Sequence, residues 1–191
     1  MNKPKFSVYT LAVIGLMAAM VFVATYFLRI EIPTPAGPTN LKVGNILCLL
    51  AGLLFGGLYG GLAAGIGSMF FDLLNPVYAA SAPFTLVFFF MMAFVCGLIS
   101  HSGGKRGLSM KWNIVGGICG ALSYIVLHIG KSIITLVLAG SGFLPAVIAC
   151  STKLITSSIN AVIAVVVSVL IAPVLHKALA RIGVYEKLGI H

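Results

Sequence analysis

The stretch GNILCLLAGLLFGGLYGGLAAGIGSMFFDLL, Gly44 to Leu74, decides the fold. It is continuously apolar apart from Asn45, Ser68 and Asp72, and it is dense in glycine: Gly52, Gly56, Gly57, Gly60, Gly61, Gly65 and Gly67. In lipid, small residues let helices approach closely and gain dispersion contacts. Gly56-Gly57 is the expected tight connection between a short span over 43–56 and a second over 58–74. A phosphate-cradling loop is excluded, because no GxxxxGK[ST] pattern occurs.

Outward from this stretch the chain keeps the same character. Of 191 residues, 60% are hydrophobic and only 8% charged, and the mean hydropathy is +1.15. A soluble domain carries about 25% charge, so this chain cannot cover a water-facing surface and is expected to be an integral membrane protein. Runs of about 20 apolar residues suit membrane helices, and the alternating ten-residue strands of an outer-membrane barrel are missing. The fold expected is an all-α bundle of six transmembrane helices in one domain, 1–191. The spans are placed at about 8–28, 43–56, 58–74, 84–100, 113–138 and 146–173, with a basic tail over 174–191. The first run is read as a span and not as a cleaved signal, since no small-residue cleavage site follows it. Segments 75–83, 101–111 and 140–145 are read as loops or turns.

The net charge of +9 does not mark a nucleic-acid binder, because the basic residues gather at span ends. Eight of the twelve Lys and Arg residues (Lys3, Lys5, Lys105, Arg106, Lys111, Lys177, Arg181 and Lys187) fall on one side if both termini are cytoplasmic. Arg29, Lys42, Lys131 and Lys153 remain on the other. The bias favours N-in and C-in. Cys48, Cys96, Cys119 and Cys150 stand alone in apolar runs without CxxC spacing and read as packing residues. No metal or other cofactor is expected.

Several polar residues inside apolar runs need a reason. A lysine at mid-membrane costs roughly 2.5–3.5 kcal/mol on insertion scales. Lys131 lies within span five, three residues after His128 and on the same face. Lys153, Ser157 and Asn160 share a face of span six, and Asp72 ends span three on the same side. Each has an ordinary explanation: lysines that snorkel to headgroups, an ion pair for Asp72, an interhelical hydrogen bond for Asn160, a core histidine. Their convergence at one depth and on one side points instead to a hydrated cavity open to the exterior. PTPAGPTNLKVGN (Pro33–Asn45) crosses the same side. Its three prolines reduce the entropy lost on ordering, so it reads as a stiff lid or as a plain connector.

Together, AVIGLMAAM in the first span, NLKVGNILCLLAGLLFGGLYGGLAAGIGSMFFDLL, APFTLVFFFMMAFVCGLIS and KLITSSINAVIAV resemble the substrate-binding S component of energy-coupling factor (ECF) vitamin transporters, in the riboflavin-transporter-like branch. The resemblance implies a vitamin pocket under the first loop, with Asn40, Lys42, Asn45, Asp72, Tyr78, Phe84, His128, Lys131, Lys153, Ser157 and Asn160 as candidates. Tyr78 or Phe84 suits stacking on a flat ring. It also implies partners: a transmembrane coupling subunit and two cytosolic ATPases, in a prokaryotic cell membrane. The coupling subunit docks on small residues of the first helix, here Gly15 and Ala19 with Ala12 and Ala18 nearby; internal packing is the other reading of these four. Riboflavin carriers resemble LKxDxSDxP after the first loop, where this chain has LKVGNILCL. Two outer lysines suit a carboxylate or phosphate, so pantothenate or a pyridoxine-type vitamin stands beside riboflavin.

A self-sufficient secondary carrier or channel is the alternative. It would be expected to show intramembrane acids and internal repeats, whereas the chain has three acids in all. An enzyme is not expected: Ser141 in AGSGF lacks the GxSxG elbow, and HExxH does not occur.

Overall fold

The computed structural model describes residues 7–188; Lys3 and Lys5, used above for orientation, lie outside them. In chain order the elements are α1 (Val8–Phe27), β1 (Arg29–Ile32), β2 (Thr39–Lys42), α2 (Gly44–Leu73), α3 (Ala82–His101), α4 (Met110–Leu138), α5 (Phe143–Ala149), α6 (Ser151–Arg181) and α7 (Val184–Leu188). Val8–Phe27, Gly44–Leu73, Ala79–Gly104, Met110–Leu138 and Ser151–Arg181 are long and apolar enough to cross a membrane. Their outward faces remain apolar: Leu122, Val126 and Ile134 of α4 and Val162, Val166 and Leu170 of α6 are all exposed. A surface of this kind is stable against lipid and not against water.

The decisive stretch folds back on itself. Gly56 has φ +78° and ψ −178°, a region open essentially to glycine alone. Cys48 Sγ and Ser68 Oγ are 3.7 Å apart, although twenty residues of straight helix would separate them by about 30 Å. The α2 element therefore has two antiparallel limbs hinged at Gly56. Glycine makes their contact possible: a Cβ at Gly60 would overlap the backbone of Ala51, one at Gly52 the carbonyl of Ala93 in α3, and one at Gly97 the backbone of Gly57. Leu49, Leu53, Ala63, Phe89 and Met92 fill the core between the α2 limbs and α3.

Four boundaries differ from the sequence reading. The opening loop contains an antiparallel ladder pairing Arg29 with Lys42 and Ile32 with Thr39. A turn closes it, with Gly37 at φ +94° donating its amide to the Thr34 carbonyl at 2.9 Å. The 75–83 loop includes a 3-10 turn, Ala79–Ser81, directly before α3. The single span expected over 146–173 is divided at Cys150 into the short α5 and the long α6 starting at Ser151, and Pro145 falls in the first turn of α5, where no backbone donor is required. The final long helix runs to Arg181, past the expected end at 173, since Leu, Ala, Lys and Arg favour helix until Gly183 at φ +70°.

At the end opposite the hairpin, the Gly56 reversal lies beside His101. Asn113 Nδ2 donates to the Gly107 carbonyl at 2.7 Å, and His176 Nε2 donates to the Arg106 carbonyl at 3.0 Å. Lys105, Arg106, Lys111, Lys177, Arg181 and Lys187 all belong to this end.

Candidate functional site

The β1–β2 hairpin lies over a cavity of about 100 Å³ walled by α2, α3, α4 and α6. Helical periodicity accounts for the wall. Lys153, Thr156, Ser157 and Asn160 are the buried face of α6 while Leu154, Ile155 and Ile159 face outward. Tyr124, His128, Lys131 and Ser132 recur on one face of α4, at the spacing that stacks side chains along a helix. The two helices thus turn polar faces inward and apolar faces out.

Asn160 ties the hairpin to α6. Its Oδ1 accepts from the Lys42 amide at 3.1 Å and its Nδ2 donates to the Asn40 carbonyl at 2.6 Å. One side-chain amide therefore satisfies a backbone donor and a backbone acceptor of β2, as a neighbouring strand would. A second tie runs from the Tyr78 hydroxyl to Glu31 Oε1 at 3.1 Å. Burial and the Glu31 carboxylate push the Tyr78 phenol up to about 12, so it remains a donor at neutral pH.

The charged groups are held individually. Lys42 Nζ lies 4.4 Å from the Phe89 ring centroid; burial drives its ammonium below the usual lysine range, with the Asp72 carboxylate opposing the shift. Asp72 accepts from Thr85 Oγ1. Lys131 Nζ donates to Ser81 Oγ at 2.9 Å and lies 5.2 Å from the Phe84 ring. Lys153 Nζ sits beneath the hairpin tip, 3.7 Å from where a Cβ of Gly37 would be. His128 stacks on Tyr124 at 5.3 Å, and its Nε2 is buried without a hydrogen-bond partner, as is Asn40 Oδ1.

Of the candidates from the sequence, Asn40, Lys42, Asp72, Tyr78, Phe84, His128, Lys131, Lys153, Ser157 and Asn160 line this cavity. Asn45 does not: it is buried in the first turn of α2. Thr39, Ser81, Thr85, Phe88, Phe89, Tyr124 and Ser132 also line it and were not singled out. Tyr124 had a signal, one helical turn before His128; the phenylalanines had none that separates them from ordinary core.

On α1, Ala12, Gly15 and Ala19 are exposed, and a Cβ at Gly15 would meet nothing within 4 Å. Gly15 and Ala19 border an apolar groove with Phe22, Ile66, Phe70 and Leu74. Ala18 also borders this groove but is largely buried, with its carbonyl against Gly67 of α2.

A search of curated proteins gives no match. The family model described as ECF-type riboflavin transporter, S component, matches residues 5–181. A multi-pass chain with a polar cavity under a tethered hairpin fits that description, and the match spans nearly the whole length: the chain belongs to the family of S components of ECF-type riboflavin transporters.

Proposed function

We propose that this chain is the substrate-capturing subunit of an ATP-driven vitamin importer in a prokaryotic plasma membrane, with six crossings and both termini inside. The family is a transporter component and not an enzyme family. The observation that carries the reading is the cavity under the hairpin, lined by buried polar side chains of which His128 Nε2 and Asn40 Oδ1 lack partners. Buried polar groups are otherwise almost always bonded, so a ligand that bonds these atoms accounts for them. The reversal at Gly56 supplies the sixth crossing, and the basic end, opposite the hairpin, is the cytoplasmic one.

At about 100 Å³ the cavity is below the roughly 300–1,000 Å³ of most ligand pockets. The hairpin is therefore in a closed position and lifts to admit a vitamin. Its ties, through Asn160 and through Tyr78–Glu31, are few enough to break and remake. The ligand is riboflavin or another small water-soluble vitamin, with pantothenate and pyridoxine types included. Energy comes from a transmembrane coupling subunit and two cytosolic ATPases, the former seated on Gly15 and Ala19.

Reconstitution tests this against a self-sufficient carrier. Liposomes holding the chain alone should bind a vitamin without accumulating it, and accumulation should require the coupling subunit, the ATPases and ATP. Concentrative uptake by the chain alone would contradict the proposal.

A further inference from the structure

The cavity lining contains three ammonium groups, Lys42, Lys131 and Lys153, and a single carboxylate, Asp72. The whole chain has only three acids. Glu31 is engaged by Tyr78, and Glu186 lies in α7 at the far end. Asp72 is within electrostatic reach of Lys42 and Lys131. No acid among the described residues acts on Lys153 in this way, and the Lys131 ammonium repels it. Lys153 is also only 8% exposed, beneath Gly37 of the hairpin, and so does not extend to lipid headgroups. His128, with its unpartnered Nε2, is in reach of all three lysines, and the Ser157 hydroxyl lies one helical turn beyond Lys153 on the same wall.

An unpaired cation enclosed away from water is expensive, and closing the hairpin over a neutral ligand would leave it so. Closing over an anion would instead form a charge pair in a low-dielectric enclosure, where it is worth far more than in water. The rest of the lining (Phe84, Phe88, Phe89 and Tyr124) offers ring faces. We propose that the ligand joins a flat or apolar body to an anionic group, a carboxylate or a phosphate monoester, and that Lys153 receives that group with His128 and Ser157 beside it. This inference rests on the substrate-capturing role argued above and narrows its substrate class.

Matched pairs of probes test it. The detergent-purified full chain is titrated calorimetrically with riboflavin against riboflavin 5′-phosphate, and with pantothenate against its neutral alcohol, panthenol. In at least one pair the anionic member should bind about tenfold or more tightly, and which pair does so distinguishes phosphate from carboxylate. Lys153→Gln should erase most of that preference, and Lys153→Arg should keep it. The wild-type comparison decides even if Lys153→Gln fails to fold. Equal or tighter binding of the neutral member wherever binding occurs would overturn the anionic class and leave vitamin capture standing. An unchanged preference in folded Lys153→Gln would overturn the assignment to Lys153. No binding by any probe would overturn this inference, and the capture role would stand or fall on the reconstitution experiment.

Discussion

Asn160 places a side-chain amide where the next strand of a sheet would lie, and the hairpin's position depends on it. Replacing it with alanine leaves the Lys42 N–H and the Asn40 C=O without these partners. Each buried unsatisfied group costs about 1–3 kcal/mol. We expect Asn160→Ala to raise hydrogen exchange at the Lys42 amide by about tenfold or more while exchange in the α2–α3 core stays slow. Lys42 itself gives a pH signature. Its folded ammonium lies below the usual lysine range because it is buried. The unfolded chain then binds more protons, so stability rises with pH until the ordinary lysine value of about 10.4 is passed. Thermal midpoints of the ligand-free protein should climb more steeply above neutral pH in wild type than in Lys42→Met. Identical slopes would show that Lys42 is not held in this way. At this scale the sequence was most legible where chemistry conflicted with surroundings: Lys131, Lys153, Asp72 and Asn160 each stand out in an apolar run. Phe88 and Phe89 were hidden because aromatic residues are equally at home in core, lipid and ligand walls. Asn45 raised the same signal as Asn40 yet is turned into the first turn of α2.

Helix–helix contact in the α2 element is set by glycines, and the reversal at Gly56 requires one for its backbone conformation. A side chain at φ +78°, ψ −178° costs about 1–3 kcal/mol, so Gly56→Ala should lower the thermal midpoint measurably. Gly52→Val should be worse, since a Cβ there already overlaps the Ala93 carbonyl and the α2–α3 spacing would have to widen. A Gly52→Val protein as stable as wild type would show that the close packing is dispensable. Glycine density makes this seam legible in the sequence, because few other roles need so many glycines in one apolar run. The hairpin was not legible as a ladder. Its strands are four residues each, and the prolines between them obscure the alternation of Ile30, Ile32 and Leu41. The ends of α5 and α6 were misjudged for a related reason: apolarity marks lipid, and helices continue past it.

For the whole molecule, three surfaces face three environments: an apolar belt toward lipid, a basic end, and a hairpin-capped polar cavity at the opposite end. The docking role proposed for the exposed small residues of α1 is separable from capture by experiment. Gly15→Leu or Ala19→Leu should abolish uptake in the reconstituted complex while leaving vitamin affinity within about twofold, as expected of surface changes remote from a site. Ala18→Leu should instead lower stability, because Ala18 packs against Gly67. Uptake that survives both bulky surface substitutions would remove the docking role from this face. The most direct test of the cavity as a capture site is mass spectrometry of whatever small molecule is released from the detergent-purified wild-type chain and from a Lys131→Ala/Lys153→Ala double variant. Wild type should release one vitamin-class compound in near-stoichiometric amount, and the double variant should release little or none. Release of no such compound by wild type, or of equal amounts by both proteins, would contradict the assignment of this cavity.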